Sequence, residues 1–234
     1  VHDISPDNPP WLPWLPSVAK SSVNHIVIDA SAGTRMHPET LARWFSGYTN
    51  LLSFDGRGMD VEGTESFEQL FDGDGKLEYV DISNWDMRPT TFGQDGTDDE
   101  GNPIYTTTSY VHMFRGTNLK TIVLGTYSSL QETGFNGEIA ERTPNDGMWR
   151  TDASDTTSFD HTWFETSAGL TTRYDNDGNH YGELVIFTWV PGKGGKFVGN
   201  ANAWWAFDSE SNTLYLGSVD GKQEVTCSAN NLPW

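Results

Sequence analysis

The 234-residue chain contains one cysteine, Cys227, so no disulfide can close within it. Single-cysteine usage is the cytosolic default, but secreted bacterial proteins also avoid disulfides, so the thiol leaves the compartment open. Basic residues are scarce: 14 Lys and Arg stand against 33 Asp and Glu, a net charge of −19. A nucleic-acid phosphate binder needs a basic footprint, and this balance excludes one. It also argues against adsorption to anionic lipid. No apolar run approaches the roughly 18 residues that read as a bilayer span, so no membrane insertion by this segment is expected. No signal-peptide pattern follows Val1, and the chain stops abruptly at Trp234. It therefore reads as a piece of something longer, a monomer within a multi-module chain. Apolar residues are few at 35%, but 10 Trp, 12 Phe and 8 Tyr compensate. Each large ring buries about 150–250 Å², enough for a few to build a core.

Catalytic patterns are missing as well. There is no G-x-S-x-G nucleophile elbow and no H-E-x-x-H zinc helix, and one cysteine cannot make a structural zinc site. Among 33 acids some carboxylate pair is inevitable, so a pair alone does not indicate a glycosidase. Gly56–Gly58 and Gly73–Gly75 lack a phosphate-loop or dinucleotide context and read as turns. No cofactor is expected, with one alternative. Asp72-Gly-Asp-Gly75 and Asp175-Asn-Asp-Gly178 resemble the front of a calcium loop. Both fail the remaining EF-hand positions, which leaves turn chemistry or an irregular calcium site; the acids at 95–100 are a further candidate.

What the chain does have is a period. Phe45, Gly47, Leu51, Phe54, Asp55 and Asp60 recur as Phe71, Gly73, Leu77, Val80, Asp81 and Asp86, each 26 residues on. A third copy holds Phe114, Gly116, Leu119, Ile122 and Leu124, and a weaker one upstream holds Val23, Ile26 and Ile28. The third copy arrives late because a polar insertion occupies about 87–109. Val80-Asp-Ile82 alternates as a strand should. The spacing of Leu41, Trp44 and Phe45, of Phe67, Leu70 and Phe71, and of Tyr110, Met113 and Phe114 predicts short helices, with starts near Pro38 and Thr64. Strand-plus-helix units of this length stack because none buries its apolar side alone. The expected fold class is therefore α/β: a short leucine-rich-repeat-like solenoid of parallel strands and short helices over 23–125, followed by β-rich modules.

Four segments follow from the same pass. Residues 1–22 are a Pro/Trp-rich connector, and 23–125 carry the repeat. Residues 126–190 form a β-rich closing segment, with strands at Gly147–Arg150 and Glu183–Trp189 and a tight turn at Asp175–Asn179. Pro191–Gly195 reads as a flexible break, so 191–234 become a β-hairpin module. Its strands are expected at Trp204–Phe207, Thr213–Leu216 and Val225–Cys227. The closing Asn230-Asn-Leu-Pro-Trp234 echoes Asp7-Asn-Pro-Pro-Trp11, as if a next repeat unit began there.

Leu77-Glu-Tyr-Val-Asp-Ile-Ser-Asn-Trp-Asp86, followed by Met113-Phe-Arg-Gly-Thr-Asn-Leu-Lys-Thr-Ile122, resembles the 26-residue repeat of BspA-like bacterial surface proteins. The resemblance covers about Val23 to Gly125. It departs from the family in its insertion, in Gly-Arg-Gly at 56–58 where the Ser-Asn-Trp-Asp signature belongs, and in a one-residue deletion before Leu119. It implies a Gram-positive-type, extracellular, wall-associated or lipid-anchored protein that uses a leucine-rich-repeat-like scaffold for attachment.

Stacking in register places His25, Ser53, Tyr79 and Thr121 in one outward row and Val27, Asp55, Asp81 and Val123 in the next. Asp55 and Asp81 then lie about 4.8 Å apart on adjacent strands. Such a pair needs a cation or basic group between its members, or turn amides to bond to. A ligand is expected there, at Asp55, Tyr79 and Asp81. The strand at Trp204–Trp205 points its two rings to opposite sides, which leaves a core role for both or one ring facing outward, where it could stack on sugar. The functional expectation is a non-enzymatic adhesion or display module binding a host or matrix protein or glycan. The alternative is a carbohydrate-binding module of an extracellular glycan-degrading enzyme, using Trp204 and Trp205.

Overall fold

A computed structural model describes residues 20–30, 33, 35–139, 147–152, 154, 162–175, 184–197 and 200–218. Residues 1–19, the turn beyond Asp175 and the strand expected at Val225–Cys227 lie outside them. The strands are β1 (His25–Val27), β2 (Ser53–Asp55), β3 (Tyr79–Asp81), β4 (Thr91–Thr97), β5 (Pro103–Thr107), β6 (Thr121–Gly125), β7 (Gly147–Thr151), β8 (Trp163–Glu165), β9 (Leu184–Phe197), β10 (Asn200–Asp208) and β11 (Thr213–Ser218). A single α-helix among the described residues, α1 (Ser167–Arg173), begins where the Thr166 hydroxyl accepts the Gly169 N–H.

β1, β2, β3 and β6 pair in parallel, with His25, Ser53, Tyr79 and Thr121 in one row and Val27, Asp55, Asp81 and Val123 in the next. Paired residues are 28 apart in sequence between β1 and β2, 26 between β2 and β3, and 42 between β3 and β6, where the insertion intervenes. Phe54, Val80 and Ile122 point inward and are fully buried.

The expected α/β leucine-rich-repeat-like solenoid is wrong. The protein is mostly β with a mixed sheet, and the described residues of the repeat contain no α-helix. Apolar residues at i, i+3 and i+4 here mark consecutive tight turns. Within each segment the bonds run three residues back: Trp44 N to Leu41 O, Leu70 N to Phe67 O, and Met113 N to Tyr110 O. The next amide donates sideways to the following coil, as in Phe45 N to Leu70 O and Phe71 N to Met113 O, both about 3.0–3.1 Å. Arg43, Gln69 and His112 have φ of 59°, 54° and 60°, the left-handed region that stops a helix. Gly47, Gly73 and Gly116 close the turns at φ of 72–79°, where a Cβ is strained. Thr64 starts no helix; its buried hydroxyl donates to Pro38 O at 2.8 Å.

Rings stack down the coils, with Phe45 to Phe71 and Phe71 to Phe114 each 5.9 Å between centroids. Gly56 sits where the SNWD-type signature fails. A Cβ there would lie 2.6 Å from the Phe54 ring and 2.9 Å from Trp85. The departure from the repeat pattern thus makes room for Trp85 of the next coil, whose indole N–H donates to Gly56 O at 2.8 Å. The insertion is a separate two-stranded hairpin, β4 with β5.

β9 joins the halves. Its start pairs antiparallel with β6, its middle with β7, and its end with β10, which in turn pairs with β11. Pro191–Gly195, expected as a flexible break, is part of this strand. Gly192 and Gly194 pair with Asp208 and Ala206, and a Cβ on Gly192 would strike Phe207 O at 2.0 Å. The repeat core continues through Phe135, Trp149 and Trp163 beneath the antiparallel part. A second cluster, with Met148, Phe164, Val190, Trp204 and Ala206, lies farther along β9 and β10.

Candidate functional site on the strand face

The outward rows are open upstream and closed downstream. Val27 is 66% exposed and Tyr79 37%, whereas Asp81 is 5% exposed and Val123 is buried. The expected repulsion between Asp55 and Asp81 is answered by the chain's own Arg57. Its Nε donates to Asp55 Oδ1 at 2.9 Å and its Nη2 to Asp55 Oδ2 at 2.6 Å, while Nε lies 3.3 Å from Asp81 Oδ2. The Arg57 hydrogen bond holds the Asp55 carboxyl below its ordinary pKa against the opposing effect of burial. On its other oxygen Asp81 accepts the Ser83 hydroxyl at 2.7 Å and the Ser83 N–H at 3.1 Å. Tyr79 Oη is 3.5 Å from Asp81 Oδ2, and burial first, then the Asp81 and Asp55 charges, raise the phenol's pKa.

The five residues named from sequence therefore separate. Asp55, Tyr79 and Asp81 come together, but Asp81 is a buried structural acceptor and the position between the acids is held by Arg57. Trp204 is 4% exposed and packs on Phe164 at 4.6 Å, so it offers no sugar platform. Trp205 lies on the opposite face of β10 and is half-buried. Sequence reasoning missed Arg57, and its signal was local. Asp55-x-Arg57 recurs as Asp86-x-Arg88, where Arg88 Nε donates to Asp86 at 2.9 Å and the guanidinium lies 4.1 Å from the Tyr127 ring centroid. His25 adds to the open row, with Nδ1 2.7 Å from Ser53 Oγ.

Of the calcium candidates, Asp72, Asp74 and Asp98 are bonded to the chain itself, and the 175–178 candidate lies outside the described residues beyond Asp175. Asp72 takes a two-point bond from Arg115 at 2.8 and 2.6 Å, which lowers its pKa. Asp74 is fully buried and accepts the Tyr48 N–H at 2.6 Å. Asp98 accepts Asn102 N, Asn102 Nδ2 and Glu100 N, an Asx-type turn. Among the described residues no three His, Cys, Asp or Glu side chains are grouped to hold a metal ion. A concavity of about 300 Å³ has His112 and Glu138 on its wall, with Nδ1 to Oε2 at 2.7 Å. Sequence reasoning did not single out this pair. The signal was the period itself: Glu138 stands 26 residues after His112, as Gln69 does after Arg43, whose Nε donates to Gln69 Oε1 at 2.7 Å.

No family model, curated protein or solved structure matches the chain. No helix among the described residues is long and apolar enough to cross a membrane.

Proposed function

We propose that the chain is a non-enzymatic interaction module of an extracellular, cell-surface protein, and that it binds a host or matrix macromolecule across the upstream strand face. The observation that carries this reading is the register-locked surface of β1, β2 and β3. Tyr79 stands on it between Ser53 and Thr121, and the half-exposed Arg57 guanidinium bridges two coils. Tyr and Arg are the side chains over-represented where interfaces carry their binding energy. Both are held in fixed positions here, so little ordering entropy is lost on binding. The 26-residue resemblance to BspA-like surface proteins supports the same reading. The testing experiment presents the immobilised protein to matrix proteins, a mucin and a glycan array, comparing the wild type with Tyr79→Ala and Ser53→Arg. Loss of a protein or mucin signal in both variants supports the proposal. A signal insensitive to both, or one confined to free oligosaccharide, refutes it.

A further inference from the structure

The outward rows of the strand face run into a cavity. His25 and Val27 of β1 stand opposite Ser53 and Asp55 in the register, and both also line an apolar concavity of about 290 Å³. Its inner wall is the core itself: Phe45 and Tyr48 are buried, and Ile26 packs against the same cluster. Its rim is accessible, with Val27 at 66% and Met36 at 39% exposure. The wall is fixed before anything binds. Phe45 lies 5.9 Å from Phe71 and 5.1 Å from Phe54 between ring centroids, and the Tyr48 N–H donates to Asp74 at 2.6 Å. A water in the liquid takes about 30 Å³, so the cavity admits a group of about ten non-hydrogen atoms, the size of one large side chain.

The charge around this cavity differs from that of the whole chain. Residues 20–57 carry four Lys and Arg against three Asp and Glu, whereas the chain stands at −19. Lys20 reaches the wall: its Nζ donates to Ser46 O at 3.0 Å and lies 5.4 Å from the Tyr48 ring centroid. Asp55, opposite Val27 in the register, is already paired with Arg57 at 2.6 Å. Physiological salt screens exposed charges beyond about 8–10 Å, so this local balance governs what can settle here. We infer that the partner of the strand face is a protein that inserts one large apolar side chain, flanked by carboxylates, into this cavity. The inference rests on the proposed reading of that face and names what a partner must present to it. A bulky anchor in a preformed, desolvated pocket is where interfaces concentrate their binding energy, and a fixed wall keeps the ordering cost low. A glycan has no such side chain, and a second copy would bring one charge of −19 against another.

The test titrates the full chain with three peptides and follows the methyl NMR signals of Ile26, Val27 and Met36. The first peptide is acetyl-Asp-Asp-Trp-Asp-Asp-amide, the second has alanine at its centre, and the third has lysine in place of aspartate. The three signals should move with the first peptide, and the other two should bind at least about tenfold more weakly. An equal response to the lysine peptide, movement confined to other methyls, or no movement would overturn the inference. Signals that move on dilution of the protein alone would assign the cavity to a second copy and overturn it as well. Val27→Asp changes an exposed position and should weaken the first peptide by about tenfold or more; undiminished binding would contradict the assignment. A macromolecule that loses affinity in Tyr79→Ala but not in Val27→Asp would overturn this inference and leave the reading of the strand face standing. Peptide binding in the cavity with no macromolecule captured would do the reverse, overturning the strand-face reading alone.

Discussion

Asp74 reaches across one coil boundary to accept the backbone N–H of Tyr48, exactly one period away, at 2.6 Å, while its Oδ2 has no hydrogen-bond partner among the described residues. The pair ties two turns together, but at the expense of a carboxyl in the core. Burial pushes the Asp74 pKa up to about 8, only partly opposed by the N–H groups of Tyr48 and Gly47.

A pH dependence follows with a definite sign. The folded protein holds the Asp74 proton above the pH at which the unfolded chain, near 3.8, releases it. The stabilising contribution is fully present below about pH 4 and is lost as pH rises through about 8. Asp74→Asn keeps an oxygen for Tyr48 N–H and cannot ionise. Its Tm should stay flatter than the wild type's between pH 5 and 9; two parallel curves would contradict the assignment.

Arg57 is required because Asp55 and Asp81 face it from adjacent strands. Arg57→Gln should destabilise the protein at pH 7 by about 1–2 kcal/mol, a modest value because the guanidinium is more than half exposed. The Asp55 contribution is present above the ordinary carboxylate pKa and lost as pH falls through its depressed folded value. Urea melts should therefore show the deficit at pH 7 shrinking toward pH 3. An equal deficit at both pH values would mean that the side chain acts by packing alone.

Phe71 lies at the centre of the ring column, between Phe45 and Phe114 and 4.9 Å from Phe54. Phe71→Ala should cost about 3–5 kcal/mol, since both neighbouring coils lose a packing surface. A loss below about 1 kcal/mol in denaturant titration would show that the coils do not share one core.

The β4–β5 hairpin forms its own two-stranded sheet and should be dispensable to the stack. Thr108 N donates to Thr90 O at 3.2 Å and Thr90 N to Thr108 Oγ1 at 3.0 Å, so the two stems already meet. Excising 91–107 behind an Asn-Gly turn should move Tm by no more than about 2 °C. A collapse of the fold would show that the insertion supports the coils.

The register of β2 on β3 was legible because a period of 26 aligns Phe54 with Val80; Ile26 and Ile122, offset by 28 and 42, fall into the row only once a two-residue slip and the insertion are allowed for. The connections were not legible. Tyr110, Met113 and Phe114 have the same spacing whether they lie on a helix or on successive turns, and the deciding feature is a left-handed backbone at His112 that no residue type announces. Gly47, Gly73 and Gly116 did carry part of that signal. The Asp55–Asp81 approach could be read from the register, but its neutralisation depends on a guanidinium two residues away whose direction only the folded chain fixes. Pro191–Gly195 misled for a related reason: glycine marks flexibility in isolation, yet here Gly192 and Gly194 admit a close strand, with the Phe207 carbonyl and the Met148 side chain filling the space.

Binding measured on the strand face tests the central claim most directly. The wild type, Tyr79→Ala, Ser53→Arg and a control on the outer side of α1, Thr172→Lys, are compared by biolayer interferometry against the matrix-protein and mucin panel. The account predicts that at least one macromolecule binds the wild type and the control alike, and that affinity falls about tenfold or more, roughly 1.4 kcal/mol, in both face variants. Equal binding by all four proteins, or no binding by the wild type, would contradict it.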